Sequence, residues 1–164
     1  MTRLLSLRFV VVAFLTPFGV GALGFLLAGL VSGVGADVIG ALIEQGTQRR
    51  LNPLIGGVLG LAPVLLLMLI LAIGPRLVPR LGWAPAAGWG GLIPIALLEF
   101  WAHWEAWTTY FPSRAMPGFP HGLELVIVPL FFAPVGMLVG VGFGLWWGRS
   151  EAPAEARPTS GPLG

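Results

Sequence analysis

Four long apolar runs constrain this chain more than any other feature of its sequence. A helix that crosses lipid needs about 20 mostly apolar residues, because hydrocarbon offers no partner for an unpaired backbone group. The runs that meet this requirement predict spans at about 9–31, 53–74, 83–104 and 123–147. We therefore expect an all-α membrane protein, in which residues 1–149 form a four-helix transmembrane bundle.

The composition excludes several other classes of protein. Hydrophobic residues make up 56% of the 164 residues and charged residues only 10%, whereas soluble domains carry about 25% charged residues. All nine basic residues are arginines scattered between apolar blocks, which is unlike the clustered charge of a nucleic-acid-binding protein. Without cysteine the chain has no thiolate nucleophile and no cysteine-bound metal.

The arginines predict which way the helices point. Four spans place both termini and the middle loop on one side of the membrane, together with six arginines: Arg3, Arg8, Arg76, Arg80, Arg149 and Arg157. The other side holds Arg49, Arg50 and Arg114. Since the arginine-rich side faces the cytoplasm, we expect cytoplasmic termini in a bacterial inner membrane. The first run also resembles a signal peptide, but it is longer than the usual apolar core, which favours an uncleaved span.

Aromatic and polar segments complete the predicted layout. Tryptophan and tyrosine side chains near the ends of the third and fourth runs are typical of interfacial anchors: Trp83, Trp89, Trp101, Trp104, Trp107, Tyr110, Trp146 and Trp147. Residues 38–43 have helical apolar spacing, which indicates either a short interfacial helix or an extension of the first span. Residues 150–164 are polar and rich in proline and alanine, so a disordered tail is expected.

Glycine and proline indicate how the helices pack. Small residues let membrane helices approach closely, and a glycine ladder runs along the fourth span: Gly136, Gly140, Gly144 and Gly148. This ladder predicts a tight contact, either within the bundle or with a second copy. Every span also holds an internal proline, which predicts proline-kinked helices: Pro17, Pro63, Pro94, Pro129 and Pro134.

The few ionisable residues in apolar segments are the candidates for function, because a charge is costly to place in a membrane. Glu99 and His103 are four residues apart, so they share one helix face. Glu124 and His121 stand near the start of the fourth span, on the predicted outer side. Glu99, His103 and Glu124 form a candidate proton or solute site, and His103, His121 and Glu99 form a candidate metal site. The plain alternative is that Glu99 lies just below the outer aromatic belt, where it reaches water or hydrogen-bonds a neighbour. Glu105, His121 and Glu124 would then be hydrated interfacial residues.

No sequence motif names a reaction or a cofactor. The chain lacks the phosphate-binding, dinucleotide-binding and nucleophile-elbow motifs, so we predict no catalytic residue and no cofactor. This favours a non-enzymatic protein over the alternative, an enzyme that acts on lipid or quinone at the outer interface. The sequence favours an accessory or assembly subunit, whose partners are the lipid bilayer and either a second copy or a larger membrane complex, without nucleic acid. The alternative is a transporter, channel or metal-handling protein that uses the Glu/His cluster.

Overall fold

The computed structural model describes residues 5–48, 53–81, 83, 85–113 and 122–150, and in these residues it contains helices and turns but no strand. The six α-helices are α1 Leu7–Val31, α2 Val38–Gln48, α3 Pro53–Leu77, α4 Pro85–Ser113, α5 Glu124–Ile127 and α6 Ala133–Ser150. Short 3-10 turns occur at Gly35–Asp37 and Pro79–Leu81, and a π-helical segment at Val128–Phe132 joins α5 to α6. The predicted tail and His121 lie outside the described residues.

The first helix ends at a glycine turn, which separates α1 from α2. Gly33 has a φ of 77°, a backbone conformation that residues with a Cβ atom rarely adopt. The amide of Ser32 donates to the carbonyl of Ala28 and the amide of Val34 donates to that of Gly29, so the last carbonyls of α1 are satisfied. Residues 38–48 therefore form a separate helix and not an extension of the first span.

Three helical segments are long and apolar enough to cross a membrane: Leu7–Val31, Leu54–Leu77 and Glu124–Arg149. The 29-residue α4 is longer than any of them but is not one of the three. Its glycine, tryptophan, histidine and glutamate residues lower its mean hydropathy. Length and composition thus support three membrane spans in the described residues, and they do not by themselves support α4 as a fourth.

Helix α4 packs against α1, α3 and α6, and the contacts show that it runs parallel to α1 and antiparallel to α3 and α6. At one end Trp89 of α4 contacts Phe9 of α1, with ring centroids 5.2 Å apart. At the same end the Arg149 side chain of α6 donates through Nε to the carbonyl of Leu81, which precedes α4. At the other end Phe111 lies against Gly29 of α1. Helix α4 therefore extends along the whole length of α1.

Two apolar clusters fill the bundle, one toward each end. The first cluster contains Phe9, Leu71, Ile95 and Val141, among others, and the second contains Phe25, Trp107, Phe111 and Leu125. On α4, the residues between Ile95 and Ala102 separate the two clusters. Glu99 lies in this interval, so a carboxyl group stands at the junction of the two apolar layers.

Glycines of α6 lie directly on the backbone of α4. A Cβ atom placed on Gly140 would collide with the carbonyl oxygen of Gly90, and one on Gly144 would collide with that of Ala86. A Cβ atom on Gly136 would lie 2.8 Å from Cδ1 of Leu98. The glycine row from Gly136 to Gly144 thus faces another helix of the same chain, where the two backbones approach closely.

The structure differs from two expectations about α4. The helix continues to Ser113, nine residues beyond the predicted end of the span at 104. Trp107 and Tyr110 were expected at the membrane surface as anchors, but they are 0% and 6% exposed and belong to the second apolar cluster. The reason is that this part of α4 packs in one apolar cluster with Phe25 of α1, Val38 of α2 and Leu125 of α5. By contrast, Trp89, Trp146 and Trp147 near the opposite end are exposed.

The helices α1, α3 and α4 continue through their internal prolines. The last span departs from α-helical geometry at Val128–Phe132, where Pro129 is buried. A proline lacks an amide donor, and a π turn is one way in which a helix accommodates this. Bending of any of these helices at proline stays a prediction.

Candidate functional site

The candidate site is built around the carboxyl group of Glu99, at the midpoint of α4. Its side chain is 2% exposed, and neither Oε1 nor Oε2 has a hydrogen-bond partner among the described residues. Glu99 stands fourteen residues before the end of α4 at Ser113, about 21 Å along the helix axis at 1.5 Å per residue. The Glu99 side chain therefore neither reaches water nor hydrogen-bonds a neighbour among the described residues, and α4 continues well beyond the apolar run that the sequence indicated.

His103 lies one turn after Glu99 on the same face of α4 and is 3% exposed. Its Nδ1 atom accepts a hydrogen bond from the indole Nε1–H of Trp107, with 3.1 Å between the two nitrogens. An indole nitrogen only donates, so Nδ1 carries no proton in this arrangement. The proton of the neutral imidazole is consequently on Nε2.

Trp107 is held in place by aromatic neighbours. Its ring makes an edge-to-face contact with Phe25 of α1, with centroids 4.9 Å apart, and a second with Tyr110 at 5.7 Å. Because Trp107 is fully buried, its indole N–H would be costly to leave without an acceptor. His103 supplies that acceptor. Residues 99, 103 and 107 thus form one row along α4, which we call the polar row.

Glycines of α1 and α3 cover the polar row. A Cβ atom on Gly60 of α3 would lie 2.8 Å from Oε1 of Glu99, and it would lie 2.8 Å from Cβ of Pro17 on α1. A Cβ atom on Gly21 would lie 3.0 Å from Nε2 of His103, and one on Gly56 would lie 2.9 Å from the same atom. The two side chains therefore reach the space between α1 and α3 only because these positions lack side chains.

The π-helical segment reaches the same level of the bundle. Gly136 of α6 contacts Leu98 of α4. Because these two helices run antiparallel, the turn that precedes Gly136 lies level with the turn that follows Leu98. The segment Val128–Phe132 packs against both α3 and α4. Irregular turns of this kind occur often at functional sites in helices. An irregular helical segment is therefore next to the polar row.

The remaining predicted site residues are not brought together with Glu99 in the described part of the chain. Glu124 is half-buried at the start of α5, and its Oε1 accepts from the amide of Gly122 at 3.2 Å. His121 falls outside the described residues. Among the residues that the structure describes, no three histidine or acidic side chains form a group suited to a metal ion. The metal hypothesis for Glu99, His103 and His121 stays a prediction.

Sequence reasoning missed the role of Trp107 and of the covering glycines. The four-residue spacing between His103 and Trp107 equals that between Glu99 and His103. The same i, i+4 pattern could therefore have predicted that Trp107 lies on the same helix face. The pairing of Gly56 with Gly60 was visible as a small-residue pattern, but the side chains that it accommodates were not.

A comparison with protein families, curated proteins and solved structures finds no match to this chain. Its function is therefore inferred from the site alone.

Proposed function

We propose that this chain is a four-span integral membrane protein that binds and releases protons at Glu99 in the course of transport across the membrane. The observation that carries the proposal is the Glu99 carboxyl group, which is buried without a hydrogen-bond partner among the described residues. An unpaired buried carboxyl group destabilises a fold, so its presence in an apolar core favours a functional role.

Helix α4 and its neighbours support a fourth span. Helix α4 lies along α1 from Phe9 at one end to Gly29 at the other, so a membrane that α1 crosses is also crossed by α4. The low hydropathy of α4 does not oppose this, because Glu99 and His103 face the bundle interior. Large apolar side chains such as Leu15, Leu65 and Val139 are more than half exposed, which supports lipid as the surrounding solvent.

The charges support an orientation with both termini in the cytoplasm of a bacterium. The arginines of the described segments all belong to the end of the bundle where α3 ends and α4 begins: Arg8, Arg76, Arg80 and Arg149. The acids other than Glu99 in these segments lie toward the opposite end: Asp37, Glu44, Glu105 and Glu124. Arginine-rich ends face the cytoplasm in inner membranes.

The close packing around Glu99 favours the proton as the ligand. Gly60 and Pro17 lie against the carboxyl group, so a larger solute would require the helices to separate. A divalent cation needs several oxygen ligands, and Glu99 supplies two.

The hydrogen bond from Trp107 to Nδ1 of His103 also favours a proton site over a metal site. A histidine that binds metal through Nε2 usually donates from its other nitrogen, whereas this Nδ1 accepts.

The accessory-subunit hypothesis loses its main support in this geometry. It relied on the glycine ladder as a surface for partners, but Gly140 and Gly144 lie against Gly90 and Ala86 of the same chain. Replacement of Gly140 by leucine would therefore disturb the bundle under either hypothesis and does not distinguish them. Association with a second copy or a larger complex stays a prediction.

A proton-flux assay tests the proposal directly. The purified protein is reconstituted into liposomes that contain a pH-sensitive dye, and acidification is followed after a pH step with valinomycin and potassium present. We expect flux above that of empty vesicles for the wild type and for Glu105→Gln, whose residue is exposed. Glu99→Gln, which keeps shape and polarity, should fall to the level of empty vesicles. Equal flux in wild type and Glu99→Gln would refute the proposal.

A further inference from the structure

The contact between His103 and Trp107 indicates which ring nitrogen of His103 carries the proton. In the structure the indole of Trp107 donates to Nδ1 at 3.1 Å, and both side chains are at most 3% exposed. Water therefore cannot replace this hydrogen bond without rearrangement of the bundle. Because the indole has only a donor at this position, the contact is compatible with one neutral tautomer, the one protonated at Nε2.

We propose that Trp107 is a positioning residue, which holds His103 in the Nε2–H tautomer and so directs a hydrogen-bond donor into the space between α1 and α3. Gly21 and Gly56 lie against Nε2, and a Cβ atom at either position would come within 3.0 Å of it. The Glu99 carboxyl group reaches the same two helices one turn away, at Gly60 and Pro17. The polar row thus presents a fixed donor beside a group that accepts a proton.

The proposal changes the role expected for His103. An imidazole that relays a proton takes it at one nitrogen and releases it from the other. With Nδ1 bound to Trp107, this route is closed until that hydrogen bond breaks. The inference that the Nε2–H donor takes part in proton movement rests on the function proposed above. The assignment of the tautomer does not depend on that function.

The tautomer can be measured by nuclear magnetic resonance on the reconstituted protein. The chain has only two histidines, His103 and His121, so ring-labelled [15N]histidine gives two sets of signals, which His103→Ala assigns. In the wild type we expect His103 to show an unprotonated Nδ1 and a protonated Nε2, with a coupling across the hydrogen bond to the labelled indole nitrogen. An Nδ1–H signal for His103 in the wild type would overturn the proposal without the need for any variant.

A Trp107→Phe variant tests the positioning role. It retains a ring against Phe25 and Tyr110 but removes the donor, and the loss of one neutral hydrogen bond should shift the tautomer equilibrium roughly two- to tenfold toward Nδ1–H. Trp101→Phe is the matched control on the same helix, because Trp101 is half exposed, and it should leave the His103 signals unchanged. Unchanged signals in Trp107→Phe would overturn the proposal.

Proton flux measured on the same samples separates the two proposals. If Trp107→Phe alters both the tautomer and the flux, the positioning role in proton movement is supported. An altered tautomer with unaltered flux would overturn that role. A wild type with the expected tautomer and no flux would overturn the proposed function and leave the assignment of Trp107 as the residue that holds His103.

Discussion

At the scale of single residues, Glu99 combines burial with the lack of a partner among the described residues. A buried polar group without a hydrogen bond costs about 1–3 kcal/mol. A residue retained only for stability would not be expected to carry this cost. Function and stability should therefore respond in opposite directions when this side chain is replaced.

Replacement of Glu99 by methionine tests this opposition. Methionine has a similar length and no polar atom that needs a partner, so we expect the free energy of unfolding to rise by about 1–3 kcal/mol. Proton flux should be lost in the same variant. The measurement is reversible unfolding in mixed micelles, with Leu97→Met at an exposed position as the control. A less stable Glu99→Met protein would contradict the view that this carboxyl group is a cost to the fold.

Gly60 provides a second prediction at the residue scale. A Cβ atom at this position would lie 2.8 Å from both Oε1 of Glu99 and Cβ of Pro17, so Gly60→Ala should destabilise the protein by about 1–3 kcal/mol through overpacking. Gly19→Ala is the matched control, because a Cβ atom there meets nothing within 4 Å. We expect the thermal unfolding midpoint in detergent to fall for Gly60→Ala and to stay level or rise for Gly19→Ala. Equal midpoints for the two variants would show that α1 and α3 adjust freely around Glu99.

At the scale of helices, α4 and α6 make the closest approach in the bundle. Gly140 and Gly144 bring the α6 backbone onto the carbonyls of Gly90 and Ala86. Such contacts are stabilised by dispersion over closely packed backbones, since lipid provides no hydrophobic effect between helices. A side chain at either glycine would force the two helices apart.

Two glycines on α6 make this testable with a matched pair. Gly140→Leu should prevent correct folding or cost at least ~3 kcal/mol, because its side chain would occupy the α4 backbone. Gly142→Leu places the same side chain two residues along, where a Cβ atom meets nothing within 4 Å and the residue is exposed. Monodisperse elution from size-exclusion chromatography in detergent should survive Gly142→Leu and be lost in Gly140→Leu. Similar elution of both variants would place the contact surface of α6 elsewhere.

At the scale of the whole molecule, the segregation of arginines and acids predicts sidedness. The chain contains no cysteine, so single cysteines can be introduced without removing any. Pro79 lies in the turn between α3 and α4, and Gly40 lies in α2 near the opposite end. Both positions are exposed, which makes them suitable for labelling.

With both termini in the cytoplasm, Gly40→Cys should react with a membrane-impermeant maleimide in intact bacterial cells. Pro79→Cys should react only after the cells are opened, because its turn faces the cytoplasm in the proposed orientation. The readout is a gel shift of the labelled protein, with the cysteine-free chain as the control. Labelling of Pro79→Cys alone in intact cells would show that the orientation is the reverse of the proposed one. Labelling of both positions would contradict an odd number of membrane crossings between them.

Much of the fold follows from local properties of the sequence. Runs of apolar residues identified the helices, since each helix satisfies its own backbone, and the glycine spacing identified the face of α6 that approaches a neighbour. The same local spacing placed Glu99 and His103 on one face of a helix. Where α4 ends was not predictable in this way, because residues after 104 pack in an apolar cluster with Phe25 of α1 and Leu125 of α5, which are distant in the chain.

Hydropathy and the 3.6-residue period act within one helix, so they are enough to predict that apolar helices form and that Glu99 and His103 share a face. Whether that face meets lipid, water or protein depends on how the helices pack against one another. Only this packing placed Gly60 and Pro17 on the carboxyl group and turned Trp107 from an expected surface anchor into the hydrogen-bond donor of His103. The physical reason is that the neighbours of a side chain depend on how separate helices rotate and pack against one another, and residues distant in the chain set that arrangement together.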